Sequence, residues 1–217
     1  MSMVNVVIER DRALIGVDTV AAFMGESKSL MAAGECDDRH TCKLVLFPQI
    51  STAVTHRGDA LLASVVRMQL DTACPNHFDH AAHLMPEFLL RAYAEATAYR
   101  KHHFGVESFP GSEVILVGWS PAAKRFIAVQ WVRRPNDRAF VAYGVKEMLL
   151  LPEIDRVEQI ETPDTAEKMA ALMRRQILLT RQEFPEYADA VGGRVMFAEL
   201  SRDVANVRMV ADLDPPQ

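Results

Sequence analysis

VNVVIERDRALIGVDT, residues 4–19, is the stretch on which the fold turns. Val4 to Glu9 and Ala13 to Thr19 are β-branched and apolar, and Arg10-Asp11-Arg12 between them is a polar turn. The pair predicts a hairpin that opens the protein. Outward from it, residues 20–42 lose the pattern: Gly25, Ser27, Ser29, Gly34 and the polar run Glu35 to Thr41 predict a long connection. Lys43 to Phe47 and Ile50 to Thr55 predict a second strand pair, broken at Pro48-Gln49. Gly58-Asp59 then opens a helical stretch whose apolar residues (Ala60, Leu61, Val65, Val66, Met68, Leu70) recur at three- and four-residue spacing until Pro75. A second helix is predicted from Asp79 to His103, with Pro86 as its weak point, because an interior proline removes a hydrogen bond and crowds the preceding turn.

Four short strands follow: Glu113 to Trp119, Arg125 to Val132, Ala139 to Tyr143 and Glu147 to Leu151. A third helix is expected behind Thr162 as its cap and Pro163 at its first position, burying Met169, Leu172, Ile177 and Leu178. Gly192-Gly193 precedes two last strands, Arg194 to Leu200 and Val207 to Leu213, and residues 213–217 read as a frayed tail. Blocks of strands and helices, not strand–helix alternation, predict an α+β fold of mainly antiparallel sheets with helices outside. With no linker, no composition shift and no short repeat, residues 1–217 read as a single domain.

Composition narrows the function classes. Hydrophobic residues are 49% and charged residues 24%, as in an ordinary globular protein, which excludes disorder and fibre. A formal charge of −5 argues against a nucleic-acid partner. No apolar run approaches the roughly 20 residues of a membrane span. Met1 to Asn5 has no signal-peptide character, and three cysteines fit a reducing compartment, so a cytoplasmic location is expected. Cys36-Asp-Asp-Arg-His40-Thr-Cys42 gathers metal-binding side chains, but at five-residue cysteine spacing and without a second pair it reads as a solvated loop. His77, His80 and His83 lie near a helix start, where His80 and His83 share a face with too few ligands for a metal. The eleven methionines sit at core-like positions. No phosphate loop, G-x-S-x-G, H-E-x-x-H or paired C-x-x-C occurs.

The order of elements, with Leu14-Ile15-Gly16-Val17-Asp18-Thr19, Lys43 heading KLVLF, STAV before Gly58, EVILVGWS and Gly192-Gly193, resembles the N-terminal-nucleophile hydrolases of the proteasome subunit type. The resemblance spans nearly the whole chain and implies a four-layer α-β-β-α sandwich. It also implies a peptide or amide substrate, no metal or organic cofactor, and a homo-oligomer, since subunits of this type generally stack into rings. Removal of Met1 would leave Ser2 as the N-terminal nucleophile. Its free α-amine, with an ordinary pKa of about 7.7–8.0, would serve as base. Asp18 and Lys43 would be the orienting pair, and backbone N–H groups at the helix start near Gly58 the oxyanion donors.

The sequence departs from the family at several points. Ser2 stands where the cleaving members usually carry threonine. Ala188-Asp189-Ala190-Val191-Gly192 stands in place of Asp-x-x-Ser-Gly, Gly144 lacks its serine, and His56-Arg57 is bulkier than the small residues usual beside the nucleophile. These departures leave a second reading: a non-catalytic subunit of the same fold with a structural or assembly role. A stand-alone ligand-binding α+β protein is the third.

Overall fold

The computed structural model describes residues 2–20, 42–106, 109, 111–153, 161–185 and 191–213. In chain order the strands are β1 (Val4–Ile8), β2 (Arg12–Asp18), β3 (Leu44–Phe47) and β4 (Thr52–Gly58), followed by helices α1 (Ala60–Ala73) and α2 (Phe78–Phe104). Strands β5 (Ser112–Ser120), β6 (Arg125–Arg133), β7 (Val141–Val145) and β8 (Met148–Leu151) come next. Helix α3 (Ala166–Glu183) and strands β9 (Arg194–Ser201) and β10 (Ala205–Asp212) complete the described elements. The opening hairpin forms as its alternation predicts, with Val4 opposite Val17 and Ile8 opposite Ala13.

The strands make two antiparallel five-stranded sheets, β10-β9-β2-β1-β8 and β3-β4-β5-β6-β7. Alternation along each strand sends successive side chains to opposite faces, so each sheet feeds two cores. Val4, Val6, Ile15 and Val17 meet Ala53, Ile115, Val117 and Phe126 between the sheets. The other face of the first sheet packs Met3, Val7, Leu14 and Phe197 on Met169, Met173 and Ile177 of α3. The outer face of the second packs Val54, Val114, Leu116 and Trp131 on α1 and α2. The result is four layers, helix, sheet, sheet, helix.

Three local expectations are corrected. The cap of α3 is Thr165: its backbone is extended and its hydroxyl accepts the first-turn N–H of Lys168 at 3.2 Å, whereas Thr162-Pro163 lies upstream of the helix. Leu178 is 60% exposed, because the stripe runs through Met173, Gln176, Ile177 and Thr180 and position 178 falls outside it. Pro48–Ile50 forms a short 3-10 turn, and β4 starts at Thr52 and continues to Gly58. Helix α2 runs unbroken through Pro86, held by a long buried stripe from Phe78 to Ala96. His77 caps it, accepting the N–H of His80 at 3.1 Å.

The strand directions give the sandwich two distinct ends. At one, the turns after β1, β3, β5 and β9 are laced together: Ser51 Oγ donates to the Arg202 carbonyl at 2.7 Å, Phe126 N–H to the Arg10 carbonyl at 3.1 Å, and the Arg202 guanidinium lies over Trp119. The other end collects the start of β1, the end of β2, the start of β3, the end of β4 and the start of β9. All four candidate site residues belong to that second end.

Candidate active site

Asp18 closes β2 opposite Val195 of β9, and its backbone N–H donates to the Met3 carbonyl at 3.2 Å. Its side chain, fully buried, is the hub of the site. Lys43, immediately before β3, is also buried and places its Nζ 2.6 Å from Asp18 Oδ1. The same oxygen accepts the N–H of Met3 at 2.8 Å, and Oδ2 accepts the N–H of Gly192 at 3.3 Å. That Met3 N–H belongs to the peptide joining Ser2 to Met3, so the carboxylate fixes the backbone beside Ser2, a residue only 9% exposed.

Burial costs both charges their water, and it pushes the Asp18 carboxyl up and the Lys43 ammonium down. Each charge holds the other back, and the N–H groups of Met3 and Gly192 further favour the carboxylate. An ion pair so far from water contributes little net stability but fixes geometry, because removing either partner would strand the other.

Leu44 pairs with Thr55, so Lys43 and His56 are the next neighbours outward across β3 and β4. Burial, and then the charge of Lys43, pushes the His56 imidazole down to about 4, which leaves it neutral near pH 7. Gly58 ends β4 with φ of +97°, and a Cβ there would lie 2.6 Å from the carbonyl oxygen of Gly111. Only glycine allows this approach of the two backbones. Asp59 caps α1, its Oδ1 accepting the N–H groups of Leu61 at 2.9 Å and Leu62 at 3.1 Å. Those two helix-start donors are therefore taken, and an oxyanion would have to be met at Gly58 and its immediate neighbours.

Asp18 and Lys43 are thus in direct contact, Asp18 also holds the N–H of Met3, the residue that follows Ser2, and Gly58 ends the strand that pairs with β3 at the same end of the sandwich. The sequence reading did not single out Gly192 as an Asp18 partner or His56 as a neighbour of Lys43. The only hint was that His56-Arg57 is bulky for its place and that Gly192 opens the closing segment. Most of the Cys36–Cys42 segment, and Ala188 to Ala190, lie outside the described residues; Cys42 is exposed and its thiol donates to the Leu44 carbonyl at 2.9 Å. Among the described residues no group of three or more His, Cys, Asp or Glu is placed to hold a metal ion, and no helix is long and apolar enough to cross a membrane.

No protein-family model matches the chain. No curated protein matches it either. Among solved structures it is similar to Anbu (ancestral beta-subunit) from Yersinia bercovieri, with a TM-score of 0.55 and 14% identity over 92% of this chain and 81% of that one. At this identity the likeness concerns the fold alone, and it agrees with the layers described above: the chain has the proteasome-like sandwich of two antiparallel sheets between helices.

Proposed function

We propose that the protein is a proteasome-like N-terminal-nucleophile hydrolase that cleaves peptide or amide bonds through Ser2 after loss of Met1. The observation that carries this reading is the buried Lys43–Asp18 pair tied to the Ser2–Met3 peptide. In the proposed reaction Ser2 Oγ bonds to the substrate carbonyl carbon while its proton passes to the Ser2 α-amine, and the carbonyl π pair moves onto oxygen. Lys43 keeps that amine neutral by like-charge repulsion, Asp18 holds Lys43 in place, and backbone N–H groups at Gly58 receive the oxyanion. Collapse expels the amine half of the substrate, which takes the proton from the Ser2 amine. Water then repeats the sequence on the ester, releasing the acid and free Ser2.

The chain is further proposed to work as a homo-oligomer, which light scattering reporting a monomer would refute. The test of catalysis is intact mass followed by a β-lactone or peptide epoxyketone. Loss of Met1 and one adduct mapping to Ser2, absent in Ser2→Ala, are the expected results. A chain that keeps Met1 entirely in its native host cannot use this mechanism. The second reading, a non-catalytic subunit, draws on the closing segment, where Val191 precedes Gly192 and Asp18 meets a backbone N–H there. It would be favoured by an intact, free Ser2 that takes up neither reagent.

A further inference from the structure

The turn from β4 into α1, residues 57–59, is gripped from two layers at once. Arg57 shares the inter-sheet face of β4 with Ala53, and Glu113 shares that face of β5 with Ile115, by two-residue alternation. There Arg57 Nη1 meets Glu113 Oε1 at 2.8 Å. The second oxygen of Glu113 accepts from Gln130 Nε2 at 2.7 Å, so the carboxylate is held by β6 as well. From the outer side, Arg100 of α2 pairs with Asp59, the residue that caps α1. Both ion pairs are largely withdrawn from water, Arg57 and Glu113 at 22% and 18% side-chain exposure and Arg100 and Asp59 at 13% and 6%. Between them lies Gly58, in the left-handed region and against Gly111, while Ser112 Oγ donates to the Arg57 carbonyl at 3.3 Å.

Half-buried ion pairs are poor sources of stability, since desolvation offsets most of their attraction. Two of them flanking a single glycine are better explained by the geometry they impose. We propose that Arg57–Glu113 and Asp59–Arg100 form a clamp that fixes the Gly58 peptide, and that Glu113 and Asp59 are positioning residues for the oxyanion donors; the catalytic half of this inference rests on the Ser2 reading. Neither carboxylate touches substrate. Their effect passes through the backbone of residues 57–59, where a misplacement of about 1 Å would cost up to 10²-fold in rate.

The test uses Glu113→Gln, which keeps shape but removes charge, and Asp59→Asn, which still caps the helix. Amide hydrogen exchange over residues 57–60 and the rate of β-lactone acylation at Ser2 are measured beside the unmodified chain. Exchange at these amides faster by about tenfold, with the acylation rate constant lower by about tenfold and inhibitor affinity and its pH profile unchanged, is the expected result. Unchanged exchange in both variants overturns the clamp whether or not Ser2 reacts. Faster exchange with an unchanged acylation rate overturns the positioning role. Faster exchange in the variants, when even the unmodified chain is never acylated, upholds the clamp and instead removes the Ser2 reading.

Discussion

At the residue scale, the site is governed by what burial does to three ionisable groups. Asp18 and Lys43 compensate one another at 2.6 Å, and the carboxylate is further satisfied by two backbone N–H groups. His56 has no such compensation, and its imidazole is pushed down to about 4. In the unfolded chain the same ring titrates near 6.5. Between these values the unfolded state holds more protons, so this group makes stability rise with pH from about 4 to 6.5 and leaves it flat above. The full effect is about 3 kcal/mol, less what solvent at the half-buried ring removes. Asp18, raised by burial, acts with the opposite sign, so the comparison must isolate the imidazole. Urea unfolding at pH 4.5 and pH 7 should show a smaller loss on acidification in His56→Gln than in the parent; equal losses would rule the effect out. None of this was visible in the sequence as chemistry. Asp18 and Lys43 are 25 residues apart, and only their resemblance to a family pattern joined them. The Gly192 contact spans 174 residues. His56 acquires its environment from strand register, which no local spacing encodes.

At the scale of elements, much more was legible. Alternation found the opening hairpin, and the expected block order of four strands, two helices, four strands, one or two helices and two strands agrees with the described elements, which have one helix in the last helical block. The errors lie at boundaries, where two local signals compete. Thr162-Pro163 and Thr165 are both acceptable helix starts by chemistry; the structure uses Thr165, whose hydroxyl meets the Lys168 N–H, and α3 then lays Met169 and Met173 against Gly16 of β2, where a Cβ would fall 2.6 Å from Met169 Cγ. The glycine thus marks where helix and sheet touch. Replacing Thr165 by Ala should cost about 1 kcal/mol, the usual worth of such a cap, while Thr162→Ala should leave stability unchanged within about 0.5 kcal/mol. Denaturation midpoints of the two variants decide between the caps, and the reverse ranking would restore Thr162. Leu178 was misjudged for a related reason: Gln176 and Thr180 hold the buried positions that hydropathy alone would give to leucine. Asn5 of β1 donates to Gln176 Oε1 at 2.5 Å there, a polar contact across the sheet–helix layer that no apolar pattern announces.

At the scale of the whole molecule, the inter-sheet core decides whether the chain behaves as one unit. Each sheet contributes one face to it, with Val6, Ile15, Val17 and Ala198 from one and Ala53, Ile115, Val117 and Phe126 from the other. Neither sheet can keep its outer helices without keeping this face dry, since loss of the inner layer would expose apolar surface on both at once. The laced end adds Phe126 N–H to the Arg10 carbonyl, joining the first hairpin to the second sheet. The site at the opposite end depends on the same junction, because Asp18 comes from one sheet and Lys43 precedes an edge strand of the other. We therefore propose that residues 1–217 unfold as a single cooperative domain. Phe126, fully buried at the junction, tests it: Phe126→Ala should cost about 3–5 kcal/mol. Trp119 and Trp131 lie on β5 and β6 of one sheet, whereas helical circular dichroism also reports α3 on the other side. In a single unit both signals shift together to the same lower midpoint. If the tryptophan transition moves while part of the helical signal stays at the parent midpoint, the two sheets are separate folding units and the one-domain reading fails.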